Sequence, residues 1–279
     1  MYDNRPLSAL FPDLERLGAD HHARHHEQET SYTPIILDCL SQLVALESPP
    51  GRALVVGCGP KPRALMTLAE RGFDAIGIEP VPDTVSTARA FCGGKAQVVY
   101  GSAEELPVEP GSCRFVLMES VLEHVDSVPR CLNEVFRVLQ PGGVLFIYTT
   151  NRYKLSLWGR TGEYSTPFVN WFPRIVRECY VHDHLHFRPQ LASFTARPAV
   201  HWFTYDELCA AGRAVGFATF YSMLDLVPAA SPWVKQSGVR RWMLGSVRRS
   251  PWLRALALTQ AGGSIFMVKR PRAEAVGSD

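Results

Sequence analysis

Two glycines one residue apart, Gly57 and Gly59, end the apolar run Ala53, Leu54, Val55 and Val56. Glycine at such a turn admits backbone angles closed to other residues and lets a ligand approach bare peptide. Glu79 closes the next apolar run, "DAIGIEP" (74–80), 20 residues beyond Gly59. A carboxylate at the end of that strand can accept hydrogen bonds from both hydroxyls of a ribose. Glycine turn and strand-end acid together point to an adenosine-containing ligand. Taken singly, each has a plainer explanation: a turn that packs a helix on a strand, and a solvated glutamate in a loop. A nicotinamide dinucleotide would also use both, but its fingerprint has a third glycine where the helix approaches the pyrophosphate. Pro60, Lys61, Pro62 and Arg63 hold that place here.

Proton transfer near neutral pH is the work of histidine. His124, in "LEHV", follows a later strand and is the first candidate base. "HDHLHF" supplies His182, His184 and His186, and His201 stands at the entry to a later helix. For each, a packed or solvated imidazole is the plainer alternative. Alternating His182, His184 and His186 would share a face if extended, and His21 and His25, beside His22 and His26, lie one helical turn apart. Neither group brings an obvious fourth ligand, so no metal is expected.

The elements that must position these groups are legible as alternating runs. Residues 53–57, 74–80, 96–101, 114–120 and 144–150 read as strands. "RALMTLAERG" and "PDTVSTARAF" read as the helices after the first two, the former ending at Gly72 in a left-handed cap. "SVPRCLNEVFRVLQPGG" places Val128, Leu132, Val135, Phe136 and Leu139 at helical spacing and is stopped by Pro141, Gly142 and Gly143. Thr204 and Glu207 form a capping box that opens a helix over "YDELCAAGRAV". "FATFYSMLDLV" (217–227) and "SIFMVKR" (264–270) read as the last two strands. Strands alternating with helices imply an α/β fold with a parallel sheet covered on both faces, and ligands in such folds sit beyond the carboxyl ends of the strands.

Residues 101–151, "GSAEELPVEPGSCRFVLMESVLEHVDSVPRCLNEVFRVLQPGGVLFIYTTN", resemble the central block of class I S-adenosylmethionine-dependent methyltransferases. More narrowly, they are similar to the branch with the ubiquinone-biosynthesis O-methyltransferases. The resemblance covers about residues 51–151 and resumes at "HWFTYDELCAAGRAVGF" (201–217). It implies a Rossmann-like, doubly wound seven-stranded sheet, mostly parallel with an antiparallel last strand, and S-adenosyl-L-methionine as cofactor with S-adenosyl-L-homocysteine as product. It implies that Gly57, Cys58 and Gly59 line the methionine part and the sugar. Glu79, beside Pro80, would bind the ribose hydroxyls. Ser102, Ala103 and Glu104 would flank the adenine, and Glu119, Ser120 and Val121 would face cofactor and substrate. Two departures bear on cofactor binding: Val55 and Ser102 stand where the family often has acids. They keep alive a non-catalytic cofactor-binding protein on the same fold. Some relatives also place two carboxylates and a histidine at the fourth strand's end. Glu123 and His124 are present here, but Ser120 replaces the other acid.

Extra segments surround this core. Residues 1–50 are expected to form a helical cap over the cofactor, with Tyr32 as a contact. Residues 51–279 are expected, from the resemblance, to form the methyltransferase domain, with substrate-side insertions at 152–200 and 229–262. The stretch from Leu226 to Ala273 holds nine Lys or Arg and no acid, so the rest of the chain, at 20 basic and 27 acidic residues, is mildly acidic. That balance argues against nucleic acid as a partner. In 229–262, Trp233, Trp242 and Trp252 lie among Lys235, Arg240, Arg241, Arg248, Arg249 and Arg254. This composition suits an interfacial helix on an anionic membrane, a site for a phosphate-bearing substrate, or a solvated face with its tryptophans packed on the sheet. Seven scattered cysteines without a CxxC fit a reducing compartment. No run of eighteen apolar residues and no secretion-signal layout appears. The expected location is cytoplasmic, with peripheral contact at the inner membrane surface. The expected acceptor is a small molecule or a lipid-linked glycan, methylated on a hydroxyl or, alternatively, on a carboxylate or amine.

Overall fold

The computed structural model describes residues 32–44, 49–154, 168–185 and 199–271. Seven strands form one sheet: β1 (Arg52–Val56), β2 (Asp74–Glu79), β3 (Gln97–Tyr100), β4 (Cys113–Glu119), β5 (Leu139–Tyr148), β6 (Phe217–Ser222) and β7 (Ser264–Lys269). Their spatial order is β3-β2-β1-β4-β5-β7-β6. The first five are parallel; β7 runs antiparallel to both β5 and β6. The order reverses at β1, so a crevice opens beyond the carboxyl ends of β1 and β4.

Alternation along the strands splits the core into two layers. Leu54, Val56, Ile76, Ile78, Val116 and Met118 face α4 (Val128–Val138) and α6 (Tyr205–Val215). Ala53, Val55, Phe115, Leu117, Val144 and Phe146 face α1 (Thr33–Leu40), α2 (Arg63–Glu70) and α3 (Pro82–Cys92). Burial on both faces is what the near-continuous apolar strands require. Between β5 and α6 lies α5 (Arg174–Tyr180), and between β6 and β7 lie α7 (Met223–Leu226), α8 (Pro232–Lys235), α9 (Gly238–Arg249) and α10 (Pro251–Ala261).

The cap at Gly72 is left-handed as expected, with φ +85°. The Thr204 box also forms: Thr204 Oγ1 accepts from the Glu207 amide at 3.2 Å, and a Glu207 carboxylate oxygen accepts from the Thr204 amide at 2.8 Å.

Three expectations are corrected. The helix expected to run to Pro141 ends at Val138, and Leu139 already pairs with Cys113 as the first residue of β5. The register then shifts, because Phe115 pairs with Val144 and Gln140 to Gly143 form a bulge with Gly142 at φ +77°. A distant cation helps to fix this end: Lys269 Nζ donates to the carbonyls of Phe136 at 2.7 Å and Leu139 at 2.6 Å, where a helix terminus attracts positive charge. The strand expected over 217–227 stops at Ser222. There Asp225 Oδ2 accepts from the Ser222 amide at 2.8 Å and its hydroxyl at 2.7 Å, and α7 starts. The insertion at 229–262, read above as an interfacial helix among other possibilities, folds as three short helices.

Two arginines staple α9 and α10 to α7 and the residue after it. Arg254 forks Asp225 with Nε at 3.0 Å and Nη2 at 2.8 Å. Burial alone would raise the Asp225 pKa, but the Arg254 and Ser222 hydrogen bonds outweigh it and hold the carboxyl below its ordinary value. Arg248 donates to the carbonyls of Leu224 at 2.7 Å and Val227 at 2.6 Å.

Candidate functional site

The crevice begins at the turn after β1. Gly57 and Gly59 both have positive φ, +66° and +68°. Their reasons differ. A Cβ on Gly57 would lie 2.4 Å from Val121 Cγ2, so this glycine makes room for the chain's own turn after β4. A Cβ on Gly59 would meet nothing within 4 Å. Only Gly59, of the two, fronts open space at the mouth of the sheet.

Glu79 reaches across to this turn. Its Oε2 accepts the Gly59 amide at 3.0 Å and its Oε1 the Val81 amide at 3.2 Å. The side chain is buried. Burial raises its pKa, and the two amides work against that rise. A carboxylate has about four acceptor positions, so two remain for further donors. Cys58 is a packing residue rather than a nucleophile. Its sulfur lies where a Cβ on Gly77 would come within 2.9 Å, and burial, aided by Glu79, pushes its thiol up to about 12. Val55 faces the α1–α2 layer, so the place of the usual acid is filled by apolar packing.

The loop after β3 is fixed from α4. Arg137 forks Glu134 at 2.8 and 2.7 Å and donates to the carbonyls of Val108 and Leu106, both at 2.9 Å. The Arg137 contact holds the Glu134 carboxyl below its ordinary value. Ser102 Oγ accepts the Glu104 amide at 3.2 Å, and Ala103 is buried in the core. Glu104, expected to flank a base, turns its Oε1 to the Ser127 amide at 2.7 Å, at the start of α4. Sequence could have shown this pairing only through the capping residue Ser127.

The end of β4 forms the opposite wall. Glu119 is its last residue, and Ser120 adopts φ +53°, an uncommon conformation for serine, with its amide bonded to the Tyr148 carbonyl at 2.8 Å. His124 is half-buried in the following turn, its amide bonded to the Val121 carbonyl at 2.9 Å. Glu123 points inward, accepting from Thr149 Oγ1 at 2.6 Å and Thr150 Oγ1 at 3.3 Å. It ties β4 to β5 rather than facing the crevice beside Ser120. No motif singles out Tyr148 at the tip of β5. Burial raises its pKa, and Glu123, Tyr32 and Glu119 add to the rise. Tyr32, exposed at the start of α1, therefore lies near this wall.

The other histidines are separated. His201 Nε2 meets the Val125 carbonyl at 2.9 Å, so that nitrogen carries the proton, and the His201 amide donates to the Glu123 carbonyl. Burial holds its pKa below the ordinary value. A depressed histidine gives stability that is complete above its unfolded pKa and lost as pH falls. We expect urea stability to fall as the pH drops below the ordinary histidine value of 6.5, and His201→Gln to flatten that slope. An unchanged slope would remove His201 from this role. His184 is exposed and lies tilted against Tyr180, with ring centroids 5.3 Å apart. His186 lies outside the described residues, as do His21, His22, His25 and His26; the His182 side chain does also. Among the described residues no group of three His, Cys, Asp or Glu could hold a metal ion.

Residues 54–147 match the family model described as a methyltransferase domain. The chain is similar to an uncharacterized methyltransferase of Mycobacterium tuberculosis, at 32% identity over 130 residues, covering 47% of this chain and 50% of that one. It is similar to the ubiquinone biosynthesis O-methyltransferase of Xanthomonas campestris pv. campestris, at 36% identity over 125 residues, covering 43% and 50%. The chain thus spans about half the length of the curated relatives it matches. Among solved structures, the complex between the Haloferax volcanii Trm112 methyltransferase activator and the putative methyltransferase contains a chain aligned over 97% of this one and 100% of its own length. Its TM-score is 0.52 at 15% identity. A putative sarcosine dimethylglycine methyltransferase from Galdieria sulphuraria aligns over 85% of each chain, with a TM-score of 0.50 at 17% identity. These two likenesses concern the fold alone.

Proposed function

We propose, from the match of residues 54–147 to a methyltransferase domain, that this chain is a class I S-adenosylmethionine-dependent methyltransferase that methylates a hydroxyl of a small molecule or a lipid-linked glycan. One observation carries the cofactor half of this reading: buried Glu79 bonds the Gly59 amide while Gly59 faces open space. The residues fit the group. In this reading Glu79 accepts the ribose hydroxyls with its remaining lone pairs, and the Gly57–Gly59 turn, beside Cys58 and Pro80, receives the methionine portion. Ser102 and Ala103 flank the adenine, and Glu104 anchors their loop to α4.

Bound there, S-adenosylmethionine would supply a methyl on a positive sulfur, activated for in-line transfer to a nucleophile with the neutral thioether as leaving group. The chain's part is to orient the acceptor oxygen and to keep water out. Glu119 and Ser120 form the wall nearest that oxygen, and Ser120 holds its place through the strained backbone at the end of β4. His124, in the next turn, takes the proton that the hydroxyl gives up as its bond to the methyl carbon forms. His201 supports that turn through Val125. His184 belongs to the acceptor side in this reading.

The ubiquinone biosynthesis O-methyltransferases similar to the core methylate oxygen by name, which supports an oxygen acceptor ahead of an amine. Calorimetry tests the premise. S-adenosylhomocysteine is expected to bind and a nicotinamide dinucleotide to give no heat. A folded protein that takes up neither would end this reading, and binding without turnover on any acceptor would make the chain a cofactor-binding protein only.

A further inference from the structure

The helices α9 and α10 expose a surface that the core does not explain. No residue of α10 is buried, although eight of its eleven residues are apolar or proline, and its single charge is Arg254. Trp252 is 86% exposed and Leu256, four residues on, 65%. On α9, Val239, Trp242 and Met243 are all exposed, with Trp242 at 72%. Their spacing of i, i+3 and i+4 sets them on one face. Ser250 closes α9 and opens α10, its Oγ accepting the Leu253 amide, so the two helices form one bent element. Only Leu244 of α9 is buried, facing the layer of α1 and α2. Two tryptophans and two leucines this exposed exceed the scattered apolar residues of an ordinary surface.

The charges carried by α8, α9 and α10 have one sign. Arg248 and Arg254 are used internally as staples, but Lys235, Arg241 and Arg249 are exposed. From Leu226 to Ala273 there is no acid to pair with them. A second copy docked on this face would set cations against the same cations. An anionic bilayer meets both demands, with headgroups for the cations and an interfacial zone for the indoles and leucines.

The bent element also leaves the sheet at the rim that carries the site. Asn151, just past β5, donates from Nδ2 to the carbonyls of Leu258 at 3.2 Å and Thr259 at 3.0 Å near the end of α10. The Thr149 amide donates to the Gly263 carbonyl at 2.9 Å. Thr149 in turn binds Glu123 in the turn that carries His124.

We infer that α9 and α10 dock the protein on an anionic lipid surface, through Trp242, Trp252, Leu253 and Leu256 with Lys235, Arg241 and Arg249. Docked this way, the carboxyl ends of β4 and β5 lie beside the bilayer, and this one consequence deepens the acceptor reading toward a substrate carried on a lipid.

Sedimentation with vesicles tests it, using full-length protein without cofactor or acceptor, so that failure here leaves the methyl-transfer reading intact. Vesicles of equal phosphatidylcholine and phosphatidylglycerol should pellet the protein at low salt. Pure phosphatidylcholine should bind on the order of tenfold less, and high salt should release most of the protein. W242A/W252A and R241E/R249E alter exposed positions and should each lower binding to the mixed vesicles by roughly tenfold, with unchanged circular dichroism. No binding of folded wild type at low salt would overturn the inference. So would equal binding to both vesicle types, wild-type binding by both variants, or a concentration-dependent dimer abolished by W252A in place of vesicle binding.

Discussion

Replacing Glu79 with alanine weakens S-adenosylhomocysteine binding by about 2–3 kcal/mol, or roughly 30- to 150-fold, as expected for losing hydrogen bonds to a charged acceptor. The carboxylate does two things at once. It offers lone pairs to a ribose, and it holds the Gly59 amide at 3.0 Å. Glu79→Gln separates these: it keeps one acceptor and the size, so its loss should be smaller. The pH dependence is a second readout. Burial raises the Glu79 pKa, so affinity should start to fall on acidification above the ordinary glutamate range, and the glutamine variant should lack that fall. Isothermal titration of both variants across pH decides the matter. Wild-type affinity in Glu79→Ala would take this residue out of the sugar site.

The second large effect separates two glycines that look alike in sequence. Gly57→Ala should destabilise the fold by about 2–4 kcal/mol. The new Cβ would lie 2.4 Å from Val121 Cγ2, at a φ of +66° that alanine disfavours. Gly59→Ala bears only the backbone cost, about 1–2 kcal/mol, because nothing lies within 4 Å. Its larger effect should be on binding, a loss on the order of tenfold, since the methyl enters the space left for ligand. Urea unfolding and calorimetry on the same samples distinguish the two. Equal affinity in Gly59→Ala and wild type would mean that the space belongs to no cofactor.

That contrast shows where sequence reading reaches and where it stops. The apolar runs of β1, β2 and β4 are bounded by Gly, Pro and charge, so their strand character could be read directly, while the winding of the sheet came from the family resemblance. Glu79 at a strand end, 20 residues past Gly59, was equally visible because its role is a matter of spacing. Gly57 was not, because its constraint is Val121, which only the fold brings near. The end of α4 was misplaced for the same reason: Lys269 Nζ, more than 100 residues away, holds the carbonyls there. The short β6 is a different case. Ser222 and Asp225 stand at capping spacing and could have ended the strand in sequence, but the β-favouring run before them dominated. Histidines were the least legible. His201 is committed to the Val125 carbonyl, and a single imidazole carries no local pattern that says so.

The position of β7 between β5 and β6 has a consequence for biosynthesis. While the ribosome is still short of Ser264, β5 presents a bare flank along Val144–Tyr148, and β6 has been made without a neighbour to join. Apolar flanks of this kind recruit other nascent chains. The final few codons of the sheet therefore close it, and premature termination there would strand two strands rather than one.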